Sequence, residues 1–90
     1  MIAGDARPRL APGVRMHEDR VRGRWVVQAP ERMLVPDDTA LAVLLLVDGE
    51  RSVDAIVAEL ARAYRAPREE IAGDVCAFVE SLVADGVVLA

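Results

Sequence analysis

The sequence predicts a small α+β domain of three antiparallel strands followed by three helices. Three observations carry that expectation. Apolar residues alternate with polar ones, or form short runs, between Val14 and Val35, and from Asp37 onward they recur at helical spacing. No strand-like segment interrupts the helices, so strands and helices are segregated along the chain. Apolar residues make up 53% of the 90 positions, enough for one core, and a chain of this length forms a single domain, 1–90.

Residues 1–12 carry Gly4, Pro8 and Pro12 with little periodicity and are expected to form a flexible arm. Val14 and Met16 then alternate with Arg15 and His17, the period of a half-buried strand. The polar stretch Asp19 to Gly23 suits a hairpin loop. Trp25-Val26-Val27-Gln28 reads as the second strand, stopped by Pro30. Arg32-Met33-Leu34-Val35 reads as a short third strand closed by Pro36. Proline cannot donate to a ladder, so the third strand is expected at an edge.

Asp37 or Asp38 can cap the first helix, which should run from Ala40 to Val47 and stop at Asp48-Gly49. Ser52 caps the second. Val53, Ile56, Val57, Leu60, Ala61 and Tyr64 follow an i, i+3, i+4, i+7 pattern closely, the mark of an amphipathic helix. Pro67 opens the third, whose apolar residues Ile71, Val75, Phe78, Val79, Leu82 and Val83 lead to Asp85-Gly86. Leu82 and Val87 are spaced for the apolar contact that accompanies a glycine cap. Val87 to Leu89 should form a short extended tail.

Charge and cysteine usage narrow the function classes. The net charge is −4, against the basic surface that phosphate binding requires. Residues 1–36 hold seven Arg against four acids, and residues 37–90 hold four Arg against eleven acids. The helical half is therefore the acidic one. A single cysteine, Cys76, excludes an internal disulfide and a thiolate metal cluster. Polar residues interrupt the first ten positions, and the longest apolar run, Ala40 to Val47, is too short to span a bilayer. A soluble, cytoplasmic protein is expected.

No catalytic constellation emerges. His17 is the only histidine and lies on the outer face of a strand without a second metal ligand. Cys76 has Ala72, Gly73, Val79 and Glu80 one turn away, and none of these would stabilise a thiolate. Asp37-Asp38 and Glu69-Glu70 occupy first helical turns, where acids complement the helix dipole. No enzyme, metal or cofactor is expected. Strands followed by three helices also suit a winged-helix DNA-binding regulator, though the acidic helices oppose that alternative.

Two surfaces remain. The first helix is apolar almost all round from Leu41 to Val47. The third carries a second stripe, Ala72, Cys76, Val79 and Val83, in which Ala72 and Cys76 are small enough for another backbone to approach. That backbone is either a neighbouring helix or a bound peptide. Beside an edge strand at Met33–Val35, the stripe would form one wall of a groove, the arrangement used in β-strand addition.

Several local patterns in order resemble the PqqD family (pyrroloquinoline quinone biosynthesis protein D) over nearly the whole chain. They are Pro8-Arg9-Leu10 with Gly13-Val14-Arg15, Arg22-Gly23-Arg24-Trp25 leading to Ala29-Pro30-Glu31, Thr39-Ala40, and Asp48 through Ile56. Asp74-Val75 and Leu82 to Gly86 extend the match. The resemblance implies a winged-helix-like peptide recognition element without catalytic residues. It would bind the precursor peptide PqqA and present it to the radical SAM enzyme PqqE. The peptide would add to the third strand against the last helix. That implies a site of Arg32, Met33, Leu34 and Val35 at the edge, with Ala72, Cys76, Val79 and Val83 as the facing wall. The family has Leu-Asn or similar where this chain has Pro36-Asp37, so pairing should end by Val35. Val47 stands where the family often has Cys.

Overall fold

The computed structural model describes residues 2–90. In chain order the elements are β1 (Arg9–Leu10), β2 (Arg15–Asp19), β3 (Arg24–Ala29), β4 (Arg32–Leu34), α1 (Asp38–Leu44), α2 (Val53–Tyr64), α3 (Arg68–Ala84) and β5 (Val88–Leu89). The fold is α+β, as expected, with a short strand added at each end of the expected set.

β2, β3 and β4 form an antiparallel sheet in that order, which leaves β4 at an edge. Pairing sets Met16 opposite Val27 and Val27 opposite Leu34, so these three side chains form one cross-strand row. Val27 is in the core, and Met16 and Leu34 pack against it. Arg15, His17 and Gln28, on alternate positions, are exposed. Pro30 followed by Glu31 at φ 66° makes the tight turn between β3 and β4. Val35 lies one residue beyond β4 as observed.

The first helix is shorter than expected. It ends at Leu44, and Leu46 N–H and Val47 N–H bond to carbonyls three residues back, Val43 and Leu44. This tighter turn directs Val43, Leu44 and Val47 into the core while Leu45 stays half exposed. Asp37 is the cap, its Oδ1 accepting from Ala40 N–H at 2.8 Å. Asp48 accepts from Arg51 N–H and Glu50 N–H, both at 2.9 Å, and pairs with the Arg51 guanidinium at 2.6 Å. The Arg51 N–H bond, then that of Glu50, holds the Asp48 carboxyl below the ordinary aspartate range.

The N-terminal arm, expected to be flexible, is docked. Pro8 is fully buried. The carbonyls of Ala6 and Gly4 accept from Val53 N–H (2.8 Å) and Asp54 N–H (2.9 Å), and Ser52 Oγ accepts from Ala55 N–H (3.1 Å). These are the first-turn donors of α2 that no helical carbonyl can reach. The arm therefore completes a cap that the sequence assigned to Ser52 alone. It continues into β1, which pairs antiparallel with β5, Arg9 opposite Leu89 and Leu10 opposite Val88. Gly49 N–H donates to Pro8 O at 2.9 Å. At Gly49, φ is +80° and a Cβ would come within 3.3 Å of Arg9 Cβ, so both conformation and space call for glycine.

α2 ends with Ala66 N–H bonded to Ala61 O and Arg65 N–H to Arg62 O, with Arg65 in the left-handed conformation at φ 50°. An arginine there bears a steric cost that glycine escapes. Arg65→Gly should therefore raise the unfolding free energy by about 0.5–1 kcal/mol in chemical denaturation. α3 ends in the same motif with glycine in place. Val87 N–H bonds to Leu82 O at 2.9 Å and Gly86 N–H to Val83 O at 3.1 Å, with Gly86 at φ +77°. Leu82 and Val87 are both buried there, as their spacing predicted.

Candidate functional site

Among the described residues, β4 has β3 on one side and no strand on the other. Beside it, on the sheet face that carries Val27 and Leu34, lies a narrow apolar groove of about 160 Å³, lined by Leu34, Val35 and Pro36 on one side and by Phe78, Leu82 and Val87 on the other. Val27, Ala40 and Leu44 form its floor. Met33 and Val35 are about half exposed, 55% and 48%, which is unusual for apolar side chains at a sheet edge. At one end, the Arg32 guanidinium donates to the Asp85 carbonyl at the C-terminus of α3. The negative end of the helix dipole favours a cation at that position. This bond ties the start of β4 to the end of α3.

Of the expected edge residues, Leu34 and Val35 line this groove, while Arg32 and Met33 lie on β4 outside its lining, and the expected wall on α3 is divided. At about 100° per residue, Val75, Val79 and Leu82 form the inward face. Val79 is fully buried at 0% exposure and belongs to the core. Ala72, Cys76 and Val83 lie on one flank of that face, together with Glu80, whose Oε1 accepts from Ile2 N–H of the arm at 2.9 Å. Phe78, with Ile71 and Asp74, lies on the other flank, toward β4 and α1. The four residues of the expected wall, Ala72, Cys76, Val79 and Val83, are not among those lining this groove. Val79 packs inward, the other three line the groove nowhere, and Phe78 and Leu82 stand where they were expected.

The physical reason is rotation. Two apolar stripes flank the same buried ridge, and only the packing of α3 on the sheet decides which of them meets the edge strand. The signal available for Phe78 was its being the one aromatic residue of the third helix, with Leu82 four positions on.

A second, larger cavity of about 420 Å³ opens between α1, the end of α2 and the first half of α3. It shares Ala40 and Phe78 with the groove. The lining is largely apolar, with Asp37 and Asp74 among it. His17 is exposed on β2, away from either cavity lining. No helix among the described residues is long and apolar enough to cross a membrane.

Known proteins share both the sequence and this architecture. The family model described as "Coenzyme PQQ synthesis protein D (PqqD)" matches residues 24–88. A Rhizobium meliloti (strain 1021) protein named PqqA binding protein is 50% identical over 82 residues, covering 91% of this chain and 84% of its own. A Gluconobacter oxydans (strain 621H) protein of the same name is 46% identical over 78 residues, 87% of this chain and 81% of its own. Among solved structures, the PqqD truncation of Methylobacterium extorquens PqqCD is 38% identical and superposes with a TM-score of 0.81, over 100% of this chain and 96% of that one. That solution structure is described as a functional and stand-alone recognition element for ribosomally synthesized and post-translationally modified peptides. The crystal structure of PqqD from Xanthomonas campestris is 39% identical, with a TM-score of 0.58 over 94% of each chain. A match across two thirds of the sequence, relatives near 50% identity and a full-length structural likeness together establish that the chain belongs to the PqqD family.

Proposed function

We propose that this protein is a non-catalytic chaperone of pyrroloquinoline quinone biosynthesis that binds the precursor peptide PqqA and presents it to the radical SAM enzyme PqqE. The observation that carries the reading is the free edge of β4 beside an apolar groove. An extended peptide gains main-chain hydrogen bonds at such an edge and sets alternate side chains into the groove. Relatives named PqqA binding protein support the choice of ligand. Arg32, Met33, Leu34 and Val35 form the pairing edge, and Phe78 and Leu82 contact the peptide side chains. In this reading PqqE is the separate catalyst that receives the peptide, and the three meet in the cytoplasm.

Energetics favour a moderate affinity. Two or three buried apolar side chains contribute about 4–8 kcal/mol, at ~1.5–3 kcal/mol each. Ordering and immobilising the peptide costs roughly 4–15 kcal/mol, so main-chain pairing and the enzyme contact supply the surplus.

The test is titration of labelled protein with PqqA, followed by backbone amide shifts. Saturable shifts at Arg32–Val35 and around Phe78–Leu82 are expected. Absent shifts, with PqqE also present, would refute the reading, and salt-dependent DNA binding in their place would favour a regulator.

A further inference from the structure

We infer that the cavity between α1, α2 and α3 is a second subsite, taking a cationic side chain and its apolar neighbour from the segment of the same peptide that runs past β4. The inference rests on the peptide-binding reading and extends it. Pro36 has no N–H, so ladder pairing along the edge ends there, and a peptide laid on β4 must leave the sheet at that point. The next residue, Asp37, already lines the cavity, and Ala40 and Phe78 are common to cavity and groove. The path off the strand is thus continuous with the cavity mouth.

Size and chemistry specify the occupant. About 420 Å³ lies within the range of small-ligand sites (roughly 300–1,000 Å³). The wall is apolar, with Val43, Leu60 and Ile71 beneath an exposed Tyr64. Asp37 and Asp74 are the charged groups in the lining, and both are carboxylates. Asp37 Oδ1 is engaged by Ala40 N–H. Asp74 is exposed, and its carboxylate forms no ion pair or hydrogen bond among the described residues. A lysine or arginine can lay its methylene stem on such a wall and carry its charge to the carboxylates, with Tyr64 offering a ring face.

The experiment measures the dissociation constant of synthetic PqqA peptide for wild-type protein, Asp74→Lys and Tyr64→Ala, at low salt. Both positions are exposed, and thermal unfolding checks that the variants remain folded. Each variant should weaken binding about fivefold. Replacing the peptide's basic residues one at a time with glutamine should identify one position whose loss weakens wild-type binding and abolishes the Asp74→Lys effect. Wild-type binding with both variants within twofold, or with no sensitive basic position in the peptide, would overturn the subsite and leave the groove reading intact. Failure of the wild-type protein to bind would defeat the groove reading itself, and the subsite with it.

Discussion

Phe78→Ala should weaken PqqA binding by about 10- to 100-fold, or roughly 1.4–2.8 kcal/mol, while the domain stays folded. The ring is half-buried and forms part of both the groove at β4 and the cavity beside α1. Its removal takes the shared wall from both, and aromatic anchors in desolvated pockets are the positions where truncation costs most. Some stability is lost as well, about 2–3 kcal/mol, at or below the ~3 kcal/mol minimum of fully buried phenylalanine truncations because the ring is only partly buried. Circular dichroism and amide spectra separate the two effects. Cys76→Ser is the matched control, one helical flank away, and its affinity should equal that of wild type. Equal losses for the two variants would mean that the helix contributes through general stability and not through a ligand contact.

Ile56→Ala should lower the unfolding free energy by about 2–5 kcal/mol. Ile56 is at 0% exposure in the central cluster, on the α2 face shared by Val53, Val57 and Leu60. In a domain of this size each kcal/mol shifts the midpoint by about 4–8 °C, so thermal unfolding should show a fall of roughly 10 °C or more. A loss below 1 kcal/mol would mean that the surrounding valines collapse into the vacated space. A small domain has few kcal/mol to spare, which makes this position a sensitive probe of core packing.

These two residues also mark what was legible beforehand. Ile56 belongs to the most regular apolar period in the chain, and its helix begins at the Ser52 cap and buries the face the spacing indicated. Leu82 and Val87 were likewise readable, because the contact around a glycine cap is set by local chain geometry. The edge position of β4 followed from the missing donor of Pro36. The extended tail at Val87–Leu89 was anticipated, but β1 and its pairing with β5 were not readable, since two residues have no measurable period and the pairing joins positions about eighty apart. Nor was the docking of the arm, whose main-chain carbonyls cap α2 whatever the side chains beside them. The lining of the groove at β4 was not legible for a different reason. Ala72, Cys76, Val79 and Val83 form a genuine stripe, but spacing along one helix cannot say which side the sheet will occupy.

The antiparallel pair of β1 and β5 brings residues about eighty positions apart side by side, through residues that line neither the groove nor the neighbouring cavity. A pull on the flanking chain is then borne by this pair, away from the groove and the cavity. Tethering to a catalytic partner through either terminus would then raise the local concentration of captured substrate while leaving the capture itself unchanged.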